Sequence, residues 1–335
     1  MLTNLKLKVI DNLIWVILIL LVIANAFITP RFFSAHNLTN IMYHSVVLGF
    51  LIIAESLCLM TGNFDLSIES TIAFAPAIGV LLMTSWLPGF NPIATILIIL
   101  AIGALIGFFN GVMISYLGIN PFLQTLSFLI ILRGLTYKLI PMSIFQLPDS
   151  FIFLGSKKLA FNIPLAVFVM IAGFIIVHFI LSYTKFGRNV LAIGGNERAS
   201  FISGINTKKV KTIVFMISGC IAAFAGVMAI GRQQSITNKM GDGLVFMAFA
   251  GAVMGGVGLN GGTGSALGML GGVLVLGVID NSLTLLGVDA FMVYATKGIL
   301  IFIAIVLDNS KIRLRENLIL KEEKKKLGHA IELKT

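Results

Sequence analysis

Long apolar runs separated by short polar breaks dominate the chain. A membrane helix needs roughly 20 apolar residues at 1.5 Å each. Cutting the chain at charges, Gly/Pro clusters and Asn/Asp turns predicts spans over 12–29, 45–61, 66–86, 93–116, 121–140, 163–183, 212–231, 243–258, 266–286 and 291–307. The stretch 31–43 is less apolar and reads as a short interfacial helix. The pattern therefore predicts an all-α polytopic membrane protein of ten transmembrane helices.

Composition sharpens this. Of the 335 residues, 58% are apolar and 11% charged, and the mean hydropathy is +1.02. Between Ser70 and Leu132 there is no charged residue. A soluble domain carries about a quarter charged residues, so soluble enzymes, disordered chains, coiled coils and disulfide scaffolds are excluded. Cys58 and Cys220 lie inside apolar runs and read as small packing residues. Lys6 and Lys8, the following apolar run and Ala24-Asn25-Ala26 have the form of a signal peptide. With so many later spans, an uncleaved first span is the better reading.

The net charge of +10 does not point to nucleic acid, because the positives cluster. Lys6 and Lys8, six cations in 184–211 and eight after Asp308 make sixteen on one side. Arg31, Lys157, Lys158, Arg232 and Lys239 make five on the other. The excess of Lys and Arg marks the cytoplasmic side. Ten spans then place both termini, the 184–211 loop and the basic tail 308–335 inside.

Gly118-Ile119-Asn120-Pro121-Phe122 resembles Gly287-Val288-Asp289-Ala290-Phe291. The two turns join spans 4–5 and 9–10, and an offset of five spans reverses direction. This suggests an inverted repeat, a common transporter architecture. The competing reading is that Gly with Asn or Asp marks any tight turn. Gly103, Gly107 and Gly111 recur every four residues, a spacing that lets helices approach closely. The glycines from Gly255 to Gly264 lack the Lys-Ser/Thr of a phosphate loop, so they imply no nucleotide.

The most informative polar segment is KFGRNVLAIGGNERASFISGINTKKVK, Lys185 to Lys211. Gly194 and Gly195 permit a tight turn. Asn196 suits an N-cap and Glu197 the positive helix start. The helix should run to Ser203 and end at Gly204. Phe201, Ile202 and Ile205 are then apolar groups in water. They either dock into a partner's groove or rest on lipid headgroups as part of an ordinary basic loop.

This segment closely resembles the cytoplasmic loop of ribose-type permeases of ABC importers, in the branched-chain amino acid/sugar permease superfamily. The pattern G-R-x-x-x-A-x-G-G-N-E-x-A-x-x-x-S-G-I is met by Gly187, Arg188, Ala192, Gly194, Gly195, Asn196, Glu197, Ala199, Ser203, Gly204 and Ile205. Thr61 to Ser67 is similar to the family's T-S/G-G-I-D-L-S, and Pro121-Phe122 and Arg133-Gly134 to its P-F and R-G elements. Asn281 to Gly287 and Asp308-Asn309 are similar to its N-x-L-x-L-L-G and closing elements. Two departures stand out. Glu69 replaces the glycine of D-L-S-V-G-S, and G-x-G-x-E-L-D-A-I-A here reads Gly241, Gly243, Val245, Phe246, Met247, without either acid.

The resemblance implies a single permease domain over 1–335. It implies a second permease chain, a cytoplasmic ATPase docked on the 184–211 loop, and an extracytoplasmic binding protein delivering a sugar or polyol. Asn196 to Gly204 would be the coupling helix. The chain itself would hold no cofactor and catalyse nothing, and it would sit in the inner or plasma membrane.

Charged residues inside spans imply function. Glu55 falls near mid-depth. Arg133 lies roughly 18 Å from the inner end of its span and Asp280 roughly 21 Å, so the two are candidates for a buried pair. Alternatively Arg133 reaches outward beside Lys138. Lys297 should also reach outward, and Glu69 should sit hydrated at the inner face. Asn110, Gln124, Thr125, Asn281 and Ser282 are candidates to line a polar route for a sugar, or to bond neighbouring helices. His44 and His178 are isolated and carry no metal spacing. The rival reading is a proton-coupled secondary transporter using Glu55 and Asp280. An integral membrane enzyme lacks a catalytic constellation.

Overall fold

The computed structural model describes residues 12–29, 31–289, 291–293, 295–303 and 306. Twelve α-helices follow in order: α1 Leu13–Ile28, α2 Ala35–Met60, α3 Ile68–Leu81, α4 Pro92–Ser115, α5 Pro121–Leu139, α6 Asp149–Ser156, α7 Leu165–Tyr183, α8 Lys185–Gly195, α9 Glu197–Ile202, α10 Thr207–Gln233, α11 Leu244–Met254 and α12 Ala266–Leu285. A π-helical turn, Leu82–Trp86, extends α3. A further apolar helix, Phe291–Ile303, follows α12. Lys6, Lys8, the basic tail 308–335 and Asp308-Asn309 lie outside the described residues.

Local chemistry sets where the helices start. Asn91 and Asn120 each accept two backbone N–H bonds ahead of a proline at the first helical position. Ser34, Asn206 and Ser265 cap α2, α10 and α12 in the same way.

Among the described residues, seven helices are long and apolar enough to cross a membrane: α2, α3 with its π-turn, α4, α5, α7, α10 and α12. Three of the ten expected spans are shorter. α11 has 11 residues, about 16 Å of helix, and α1 has 16. Hydropathy alone could not see that Gly255 ends α11 and that a glycine-rich turn follows. The interfacial helix expected over 31–43 is not separate. Ser34 caps a continuous 26-residue α2 that absorbs most of it.

α10 is the axis of the bundle, packed on α4, α2, α3 and α6. Its closest partner is α4, and glycine spacing decides this. A Cβ at Gly107 would strike the Phe215 carbonyl, and one at Gly103 the Gly219 carbonyl. α2 is buried along most of its length. Between α2 and α3 the chain turns back into the bundle as a non-helical stretch, Thr61 to Ser67, with Asp65 fully buried.

The two turns that suggested a repeat share local geometry. Gly118 and Gly287 have φ of 71° and 69°. Asn120 Oδ1 accepts from Phe122 and Leu123 N–H, and Asp289 Oδ1 from Phe291 and Met292 N–H.

Candidate functional site, a polar cavity and an exposed short helix

At the end of the bundle opposite the 184–211 segment, α2, α10 and α12 part around a cavity of about 420 Å³. Its polar wall follows helical spacing. α2 contributes Asn37, Asn40 and His44, α12 contributes Asp280, Asn281 and Thr284, and α10 contributes Arg232 and Gln233. Met240, Gly241, Leu244 and Ile72 form an apolar side. Asn37 and Asn281 exchange two side-chain hydrogen bonds of 3.1 and 2.9 Å across the helices. Arg232 donates to the His44 carbonyl at 3.2 Å and faces His44 Nδ1 at 3.4 Å. The wall thus offers donors, acceptors and a few charges, beside an apolar face. Such a mix suits a polyhydroxylated ligand.

Asp280 Oδ1 lies 3.4 Å from Lys297 Nζ at the cavity edge. The expected Arg133–Asp280 pair is therefore not formed. Arg133 Nη2 lies 3.0 Å from Asp242 Oδ1 and 3.7 Å from Glu69 Oε1. Matching depths on two helices did not make them neighbours, because α5 packs on α3 and α4. Lys297 turns to Asp280 instead of reaching outward. Glu69 is buried, not hydrated at a face, because α3 starts after the chain has re-entered the bundle.

The five residues expected along one polar route separate. Asn281 lines the cavity. Ser282 is buried and donates to the Val278 carbonyl at 2.6 Å. Asn110, Gln124 and Thr125 lie elsewhere, around the re-entrant stretch. Asn110 Nδ2 donates to Ser67 Oγ at 2.9 Å, and Gln124 Nε2 to Asn110 Oδ1 at 3.2 Å. Thr125 Oγ1 donates to the Pro121 carbonyl at 2.9 Å and approaches the Phe64 carbonyl at 3.4 Å. Asp65 Oδ1 accepts from Ser67 N and Oγ at 3.0 and 2.6 Å. Glu55 is buried on α2.

Sequence reasoning missed Asn37, Asn40, His44, Arg232 and Lys297 as cavity residues. The signal was the spacing 37, 40, 44 on one helix face, which becomes visible only if α2 begins at Ala35.

At the other end, α9 is a six-residue helix. Asn196 Oδ1 accepts from Ala199 N at 2.9 Å. Ser203 Oγ donates to the Ala199 carbonyl at 2.9 Å, and Gly204 turns the chain at φ 86°. Both Glu197 oxygens bind Lys211 Nζ at 2.9 Å, tying α9 to α10. Phe201 is 68% exposed and Ile202 76%. Gly194 and Gly195 make no turn. They end α8, and their small size serves close approach. A Cβ on Gly194 would strike the Met60 carbonyl and the Gly262 N–H. Gly262 N donates to the Met60 carbonyl at 3.0 Å, so α2, the glycine turn and α8 meet here without side chains between them.

The family described as branched-chain amino acid transport system / permease component matches residues 37–307. The chain belongs to this family. It is 32% identical over 300 residues to the ribose import permease protein RbsC of Escherichia coli (strain K12), covering 88% of this chain and 92% of that one. RbsC of Bacillus subtilis (strain 168) is 33% identical over 297 residues, covering 88% and 91%. The galactose/methyl galactoside import permease protein MglC of Escherichia coli (strain K12) is 34% identical over 319 residues, covering 89% and 94%. No solved structure matches.

Proposed function

We propose that this chain is the membrane-spanning permease subunit of an ABC importer that carries a sugar, a pentose, hexose or related polyol. The observation that carries the reading is its similarity, over nearly the whole chain, to import permeases for ribose and for galactose. The cavity between α2, α10 and α12 is the sugar's path through this subunit, and it opens on the outer face. α9 is the coupling helix on the cytoplasmic side. Phe201 and Ile202 enter a groove of a separate ATPase, which supplies the energy. A second permease chain completes the path, and an extracytoplasmic binding protein delivers the sugar.

A six-residue helix has no stability of its own. α9 is held by its Asn196 cap and the Glu197–Lys211 contact, and this frees Phe201 to face outward. An aromatic anchor in a partner groove carries about 2 kcal/mol or more of binding. Phe201→Ala should therefore lose co-purification of the ATPase while the permease keeps its gel-filtration profile in detergent. Asn196→Ala should weaken the association less, since a lost cap costs about 1 kcal/mol. Reconstituted vesicles should take up a labelled pentose or hexose only with the ATPase and ATP. Uptake driven by a pH gradient without the ATPase would overturn the reading.

A further inference from the structure

The segment from Gln234 to Gly243, between α10 and α11, buries Ile236 and Met240 in the core and leaves Lys239 and Asp242 exposed. At one end Ile236 and Ile144 exchange two backbone hydrogen bonds of 3.0 Å. At the other end Gly241 packs on α3, and one side chain from a different helix bonds the segment's backbone. Arg133 of α5, buried, donates from Nη1 to the Met240 carbonyl at 2.9 Å and to the Asn238 carbonyl at 3.2 Å. Its Nη2 donates to the Glu69 carbonyl at 2.8 Å, and the Asp242 and Glu69 carboxylates flank it at 3.0 and 3.7 Å. One guanidinium thus joins α5, the first turn of α3 and the segment. The fork geometry of arginine allows several such bonds at once.

The segment lies flush against α3. A Cβ on Gly241, which has φ 89°, would sit 2.6 Å from the Glu69 carbonyl oxygen. Met240, Gly241 and Leu244 are also the cavity wall, with Ile72 of α3 beside them. The charged contact therefore stands directly behind that wall.

Arg133 needs an anion nearby in a buried site, and the carboxylates of Glu69 on α3 and of Asp242 on the segment itself supply it.

We propose that Arg133 is a positioning residue of the transport path, which with Glu69 and Asp242 latches the 238–243 segment as a cavity wall. The link to transport rests on the cavity being the sugar's path.

Lys239 is exposed within the segment and offers a tryptic site that reads its release directly. In the full-length chain purified in detergent, Arg133→Gln and Asp242→Asn should speed cleavage after Lys239 about tenfold, because cleavage follows the population of the open segment. Arg133→Lys should fall between, keeping the charge without the fork. Glu69→Gln should also speed cleavage, but less, because its carboxylate stands farther from the guanidinium than that of Asp242. Each latch variant should raise the KM of sugar uptake more than it lowers the maximal rate. Asp242 is 41% exposed in its side chain, so Asp242→Asn carries the test if Arg133→Gln fails to fold. Unchanged cleavage in folded Asp242→Asn overturns the latch. Faster cleavage with unchanged uptake keeps the latch but removes this wall from the transport path.

Discussion

Two polar regions lie inside this apolar bundle, and they are built differently. Around the re-entrant stretch, Asp65, Ser67, Asn110 and Gln124 form a chain of side-chain hydrogen bonds. Between α2, α10 and α12, Asn37, Asn281, Asp280 and Lys297 border about 420 Å³ of open space. The residue types are nearly the same. In the first region the polar groups satisfy one another, so the region fixes the fold. In the second, Asn37 and Asn281 bond each other and still border a space that a hydroxylated ligand could enter.

The sharpest way to break this contrast is Asp65→Ala. It removes the acceptor for the Ser67 N–H and hydroxyl in a fully buried site. A loss of about 3 kcal/mol or more is expected, read as low folded yield and a lower melting temperature in detergent. Wild-type melting would refute the first region's structural role. Asn110→Ala should follow, at about 1–3 kcal/mol, since both Ser67 and Gln124 lose a partner. Uptake per folded molecule should hold in that variant.

Asn281→Ala should cost about 1 kcal/mol of stability, yet reduce sugar uptake severalfold through a higher KM. Uptake at the wild-type KM would take Asn281 out of the path. The smallest stability effect is expected for Asp280→Asn. The Asp280–Lys297 pair is partly exposed, so melting should shift by less than about 1 kcal/mol. Its uptake should still change, because the cavity edge then loses a negative charge.

Several features were legible from residues alone. Asn91-Pro92 and Asn120-Pro121 mark helix starts through local capping chemistry, and the structure begins α4 and α5 there. Asn196 and Gly204 bound α9 for the same reason. Gly103, Gly107 and Gly111 announced a close helix contact, and α10 fills it. The residues around the cavity were less legible. His44 looked isolated because its neighbours on the α2 face, Asn37 and Asn40, fell in a stretch assigned to another element. Arg133 and Asp280 looked like partners because depth along a helix was known and the facing direction was not.

The sequence by itself determined that the chain suits lipid, where most helices begin, which polar segment forms a short capped helix, and which family the chain resembles. These follow from composition, capping and spacing, all properties of neighbours along the chain. Only the tertiary structure decided which polar residues close on one another and which face a cavity. It also decided that Arg133 answers to Glu69 and Asp242, and that α2 is continuous while α11 is short. Those outcomes depend on helix rotation and on where the backbone re-enters the bundle. Both are set by contacts between residues far apart in sequence, such as Gly107 with Phe215 and Gly194 with Met60.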